Sequence, residues 1–230
     1  MAQHIGIVAC SAPGAALCYE TLCVEGQELM GRRLAHPEVS MHGMPFSDYL
    51  RGIESGDWDA VAELMLTSAR KLAGAGADFC ISPDNTIHQA FPRVAAESPL
   101  PWLHIADAVG DEAAAQGYKR LGILGTRFLM EGPVYGERLG RRSIDTATPP
   151  RNERERINEI IFTELVYANF TDASRRWFGE AIGRLAAAGC DAVVLGCTEI
   201  PLLVTPESSP LPTLDSTRLL ARAALRRAVA

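Results

Sequence analysis

The feature that most constrains this chain is the recurrence of one pattern: a short apolar run, a polar loop containing Gly or Pro, then an amphipathic segment. HIGIVAC (4–10) runs through SAPG into a helical stretch reaching Met30. Residues 57–74 place Val61, Leu64, Met65 and Leu72 near helical spacing, with Gly74 and Gly76 to end the helix. ADFCIS (77–82) is then a buried strand, followed by PDNTIH. PWLHIAD (101–107) opens a second set of units, in which KRLGILG (119–125) precedes TRFLMEG and DAVVLG (191–196) precedes CTEIP. LPTLD (211–215) leads into a terminal helix from Ser216. Strands alternating with helices at this interval predict an α/β fold with parallel sheets flanked by helices.

An internal echo sharpens the expectation. A helix ending in Ala-Gly, then an Asp, a strand and a polar loop occur as AGADFCIS in the first half and as AGCDAVVLG in the second. Two pseudo-symmetric lobes follow, residues 1–105 and 106–213, with the terminal helix 214–230 returning to the first. At 230 residues there is ample core for both.

Composition excludes several partners. The net charge of −6 argues against a nucleic-acid surface, which needs clustered Lys and Arg. Arg138, Arg141 and Arg142, and Arg151, Arg154 and Arg156, do cluster, but acidic residues interleave with the second group, as on a solvated helix face. No stretch approaches the ~18 uninterrupted apolar residues of a membrane helix. The start, MAQHIGIVACSAPG, has no basic segment followed by an apolar core, so a cytoplasmic protein is expected. Cysteines 10, 18, 23, 80, 190 and 197 form neither a C-x-x-C pair nor a metal spacing with His, and most are expected to be buried thiols.

In open parallel sheets, ligands bind beyond the carboxyl ends of the strands. Four loops lie there: Cys10-Ser11-Ala12-Pro13-Gly14, Pro83-Asp84-Asn85-Thr86, Gly125-Thr126-Arg127 and Gly196-Cys197-Thr198-Glu199. Hydroxyls beside free backbone N–H groups at helix starts suit a carboxylate. No loop fits G-x-G-x-x-G or a P-loop. Cys197 sits one residue past a buried strand, where a helix N-terminus can lower a thiol pKa from about 8.5. It is either a base for a Cα proton or a packed cap. Asp84 holds the equivalent place in the other half, as an N-cap or an acid/base. Asn85 and Thr86 can cap or bind a carboxylate, and Arg127 is a cleft cation or an exposed side chain. His88 is an acid/base candidate or a core-edge histidine, and His36, His42 and His104 read as structural.

These residues carry a resemblance. GCTEIP (196–201), LGILGTRF-x-ME (121–131) and LDST (214–217) look like motifs of the cofactor-independent aspartate/glutamate racemase family, and DNTIH (84–88) resembles its first-half motif, normally Cys-Asn-Thr followed by His. The resemblance covers nearly the whole chain in order. It implies two α/β lobes with the active site in the cleft between them, no cofactor, no metal, a homodimer, and a small carboxylate substrate. Two thiols, one per lobe, face opposite sides of the substrate α-carbon in that family. Cys197 matches the second-lobe thiol, but Asp84 stands in place of the first, and Cys80 lies inside the strand. Some broad-specificity racemases of this kind tolerate a Thr there, and a related arylmalonate decarboxylase keeps only the second-lobe cysteine. Cys197 and Asp84 are thus the expected catalytic pair, with Ser11, Asn85, Thr86, Thr126, Thr198 and Glu199 binding substrate. The expected reaction is racemisation of aspartate, glutamate or a similar acid. The alternatives are a one-cysteine decarboxylase, lyase or isomerase of a dicarboxylic acid, and a non-catalytic small-acid binding protein.

Overall fold

Which residues pack together divides this computed structural model, which describes residues 2–230, into two units. One unit comprises the chain up to Ala108 together with Thr217–Ala230; the other is Val109–Ser216.

The first unit begins with β1 (Ile5–Ala9), α1 (Ala12–Met30), β2 (Val39–Gly43), α2 (Phe46–Ser55), α3 (Trp58–Gly74) and β3 (Phe79–Ile81). A 3-10 turn (Thr86–Ala90), α4 (Phe91–Glu97) and α5 (Ile105–Ala115) follow, α5 carrying the chain across the boundary. The three strands are parallel in the order β2-β1-β3, with Ile5 opposite both Val39 and Phe79 and Ile7 opposite Ile81. Central β1 is buried along its whole length, which explains its unbroken apolar sequence, whereas edge strand β2 is partly exposed. Pro13 in the first turn of α1 lacks only an N–H that the helix start leaves unpaired anyway, and Gly31 ends the helix at φ 62°. Asp57 caps α3 by accepting the Ala60 N–H at 2.9 Å. The segment 101–107 is not the strand that its apolar pattern suggests. It makes one isolated bridge, Trp102 with Cys80, before His104 turns the chain into α5 by accepting the Ala106 N–H at 3.1 Å and the Asp107 N–H on its carbonyl at 3.0 Å.

The second unit contains β4 (Arg120–Leu124), α6 (Arg127–Glu131), α7 (Gly136–Gly140), β5 (Asp145–Ala147), α8 (Arg151–Thr163), α9 (Asp172–Ala187), β6 (Ala192–Leu195), α10 (Ile200–Leu203) and β7 (Thr213–Asp215). Its sheet is parallel in the order β5-β4-β6-β7. Ile157, Ile160 and Ile161 from α8 and Phe178 and Ile182 from α9 bury against Leu124, Val193 and Leu195. On α8, Arg151 pairs with Glu155 at 2.9 Å and Arg156 with Glu159 at 2.6 Å on the same helix, while Arg154 reaches Glu131 of α6 at 3.2 Å.

The last helix, α11 (Ser216–Val229), belongs to the first unit's core. Leu220, Ala221, Ala224 and Leu225 bury against Ile5, Ile7, Phe79 and Ile81, and Arg222 holds Glu25 of α1 at 2.7 and 2.9 Å. No helix among the described residues is long and apolar enough to cross a membrane.

The internal echo has a physical content. Asp78 precedes β3 and accepts the His4 N–H at 2.6 Å, while its own N–H donates to the His4 carbonyl at 2.8 Å. Asp191 precedes β6 and accepts the N–H groups of Lys119 and Arg120 at 2.6 and 2.9 Å, its own N–H donating to the Arg120 carbonyl at 2.8 Å. In each unit an aspartate thus locks the entry of one strand to its neighbour. The backbone N–H of Lys119, then that of Arg120, holds the Asp191 carboxyl below the usual carboxylate range. A carboxyl with a depressed folded pKa contributes stability above its unfolded value of about 3.9 and loses it as the pH falls through the folded value. Asp191→Asn is therefore expected to melt below the wild type at pH 7, with the difference closing at acid pH. Thermal melts of both proteins across that range check it, and a gap that persists unchanged in acid contradicts it.

Candidate active site

In the second unit, strand β6 delivers Cys197 to the carboxyl edge of the sheet. Gly196 N–H donates to the Leu124 carbonyl at 2.7 Å, and a Cβ on Gly125 would stand 2.7 Å from Leu129 Cδ2 and 3.0 Å from the Gly196 oxygen. Glycine at 125 thus lets the loops after β4 and β6 touch, which brings the Thr126 turn beside the Cys197 turn. The Cys197 thiol donates to Glu199 Oε2 at 2.9 Å, and the Thr198 hydroxyl donates to the same oxygen at 2.8 Å. Glu199 is only 6% exposed, whereas Cys197 is partly exposed. A carboxylate so buried needs donors, and this one takes them from the thiol and the hydroxyl. The buried Glu199 oxygen is thus the acceptor that the Cys197 S–H meets. The element that follows, α10, is a single turn of four residues, so what meets the Cys197 thiol is the Glu199 side chain and not the start of a long helix.

Thr126 caps α6 by accepting the Leu129 N–H at 3.3 Å. Arg127 is exposed; its N–H donates to Asn158 at 2.9 Å and its guanidinium lies 5.3 Å from the Phe128 ring centroid. That arrangement matches the exposed alternative for Arg127.

In the first unit, Asp84 is partly exposed. Its Oδ2 accepts the Ser11 N–H at 3.1 Å, joining the loops after β3 and β1 across 73 positions of sequence. Asn85 behind it is 3% exposed and heads the 3-10 turn, with Thr86 the first residue of that turn. His88 is buried, with Nδ1 donating to the Asp84 carbonyl at 2.9 Å and Nε2 accepting the Ile105 N–H at 3.4 Å, so it holds the Asp84 backbone. Its ring stacks on Phe91 and meets His104 edge-on at 4.5 Å. Cys80 is fully buried in β3, and burial pushes its thiol up to about 12, which keeps it protonated.

Two neighbours of Asp84 carry no sequence signal of a role. Cys10, at the end of β1, is 6% exposed, and burial, followed by the nearby Asp84 charge, raises its pKa well above that of an ordinary thiol. Tyr49 of α2 is fully buried close to Cys10 and Asp84, and burial raises its phenol most of all. Its hydroxyl lies next to Ser68 without making a hydrogen bond of good geometry. Cys10 lay in a strand-end loop and could have been weighed; a tyrosine in an amphipathic helix offers nothing to separate it from ordinary core.

Known proteins match this arrangement over most of their length. A candidate Asp/Glu racemase from Yersinia pestis is 31% identical, with a TM-score of 0.91 over 99% of this chain and 100% of its own. An aspartate racemase homologue from Pyrococcus horikoshii is 27% identical, with a TM-score of 0.85 over 99% and 100%. The broad specificity amino-acid racemase RacX of Bacillus subtilis is 23% identical over 168 residues, 72% of this chain and 71% of that protein. Residues 19–224 match the Asp/Glu/Hydantoin racemase family model, and the chain belongs to that family.

Proposed function

We propose that this protein is an amino-acid racemase acting on aspartate, glutamate or a similar small acid, with Cys197 and Asp84 exchanging the α-proton on opposite faces of the substrate. The observation that carries the reading is the Cys197–Glu199 pair, a partly exposed thiol donating at 2.9 Å to a buried carboxylate. Glu199 is the acceptor that the Cys197 S–H meets, and a cysteine thiolate is a competent acceptor for a proton next to a carboxylate. Asp84, held by the Ser11 N–H, supplies the second carboxyl. One direction of turnover starts with Cys197 as thiolate and Asp84 protonated, and ends with those states reversed, so protons and charge balance. Asn85, Thr86 and Ser11 in the first unit, and Thr126 and Thr198 in the second, supply hydroxyl and amide groups for the substrate carboxylates. The reading includes turnover without pyridoxal phosphate or metal. Six cysteines without a disulfide fit a cytoplasmic protein, and the family resemblance supports a homodimer.

A second reading rests on the Asp84 carboxylate itself. An ionised Asp tied to a backbone N–H can orient a substrate rather than titrate, leaving Cys197 to protonate one face after loss of CO₂ from a dicarboxylic acid.

Incubation with L- and D-aspartate and glutamate in D₂O, followed by NMR of the α-proton and chiral chromatography, separates the readings. Exchange with formation of the opposite enantiomer is the expected result. Exchange without inversion assigns competence to one face only. Absence of exchange, with decarboxylation of substituted malonates to one enantiomer, replaces the racemase by the second reading.

A further inference from the structure

The two strand-end sites contain the same two chemical groups with their positions exchanged. In the second unit the outer, partly exposed group is the thiol of Cys197, and the inner group, 6% exposed, is the carboxylate of Glu199. In the first unit the outer, partly exposed group is the carboxylate of Asp84, and the inner group, also 6% exposed, is the thiol of Cys10. The sheet imposes this juxtaposition. Strands β1 and β3 are adjacent and parallel, with Ile7 opposite Ile81, so the loops that follow them, holding Cys10 and Asp84, leave the same edge of the sheet. The Asp84 carboxylate bonds the N–H of Ser11, the residue immediately after Cys10. The fully buried Tyr49 hydroxyl, which makes no hydrogen bond of good geometry among the described residues, lies close to both groups.

We propose that Cys10 is the positioning residue for Asp84, as Glu199 is for Cys197, so that each unit carries one thiol–carboxyl pair with the roles of outer and inner group interchanged. This rests on the racemase reading above. Cys10 contributes as a neutral S–H group. Its burial leaves it protonated in both forms of the enzyme, so it adds no second negative charge when Asp84 gives up its proton. The proton that reaches the substrate leaves the Asp84 carboxyl, and the α-proton goes to Cys197; Cys10 neither gains nor loses one. Its work is to keep the carboxyl in the position in which one oxygen accepts the Ser11 N–H. The exchange of positions also explains how this chain can lack a thiol in the loop after β3 and still carry two thiol–carboxyl pairs.

The test compares wild type, Cys10→Ala and Cys10→Ser with L- and D-substrate in D₂O, following exchange and inversion separately. In Cys10→Ala the kcat for inversion is expected to fall at least about tenfold with KM changed less than about twofold, because a displaced proton donor costs rate rather than binding. Exchange at the Cys197 face continues in the same sample, which shows that the variant is folded. Cys10→Ser, which keeps a small neutral donor, regains most of the inversion. Should Cys10→Ala fail to fold, the same comparison is made between Cys10→Ser and the double exchange Cys10→Asp/Asp84→Cys. The double variant is expected to invert faster than Asp84→Asn, since it rebuilds the arrangement of the second unit. Inversion in Cys10→Ala at the wild-type kcat overturns the inference and leaves the racemase reading intact. A wild type that exchanges no amino acid overturns both.

Discussion

Replacing Cys197 by alanine is expected to abolish inversion in both directions and to reduce α-proton exchange from the enantiomer whose proton faces Cys197 to the background of the buffer. General acid–base catalysis by a positioned side chain contributes about 10²–10⁴-fold, and Cys197 is the one partly exposed thiol that a carboxylate serves directly. The loss should fall on kcat, because Thr126, Thr198 and the first-unit groups that would hold the substrate remain. The fold should be untouched: the thiol packs at the margin of the second unit's core, and deleting one sulfur there removes little buried surface. Circular dichroism melts would therefore superpose while inversion and exchange at the Cys197 face disappear. If instead the variant exchanged deuterium at the wild-type rate, proton abstraction would have to be assigned to another group and the racemase reading of this site would fail. Buried Glu199 sharpens the contrast. With the thiol gone, the Thr198 hydroxyl still donates to Oε2, so the carboxylate keeps a donor from the protein.

The largest expected effect on stability comes from Phe79→Ala. Phe79 is fully buried in β3, opposite Ile5 of β1, and packs in the cluster formed with Leu220, Ala224 and Leu225 of α11. The Arg227 guanidinium lies 4.4 Å from its ring centroid, adding a cation–π contact. Truncating a buried Phe to Ala costs about 3–5 kcal/mol, from lost transfer energy and the cavity left behind. Domains of this kind are stable by only about 5–15 kcal/mol in total, so the variant should unfold at a clearly lower urea concentration. A change of under about 1 kcal/mol would mean that α11 closes over the vacated space and that this core is far more plastic than its packing indicates.

The alternation of apolar runs and helices was enough to read a parallel α/β architecture, because a strand buried on both faces must be apolar throughout and its helices must be amphipathic. The strands at 5–9, 79–81, 120–124, 192–195 and 213–215 fall within runs legible in the sequence. The segment 101–107 misled because its composition suits a strand, while its conformation is decided by the His104 ring capping a helix, a choice that local hydrophobicity does not encode. Cys197 was legible from position and motif. That Glu199 serves it was not: a Glu two residues from a Cys can point anywhere until the turn is folded. The Asp84 contacts were still less accessible, since Ser11 lies 73 positions away and Tyr49 reaches the same region from a helix in between. Sequence periodicity reports which residues are buried; it does not report which buried residues meet.

Helix α11 gives the first unit a particular history in the cell. The core of that unit is laid down in β1 and β3 early in synthesis, but Leu220, Ala221, Ala224 and Leu225 emerge from the ribosome only after all four strands of the second unit have been made. A nascent chain therefore holds Ile5, Ile7, Phe79 and Ile81 without their final cover for as long as the ribosome takes to translate residues 109–216, about 5–20 s at the usual elongation rate. During that interval the first unit must rely on chaperones or on transient burial, and the second unit, whose strands are consecutive in the chain, can finish folding before it.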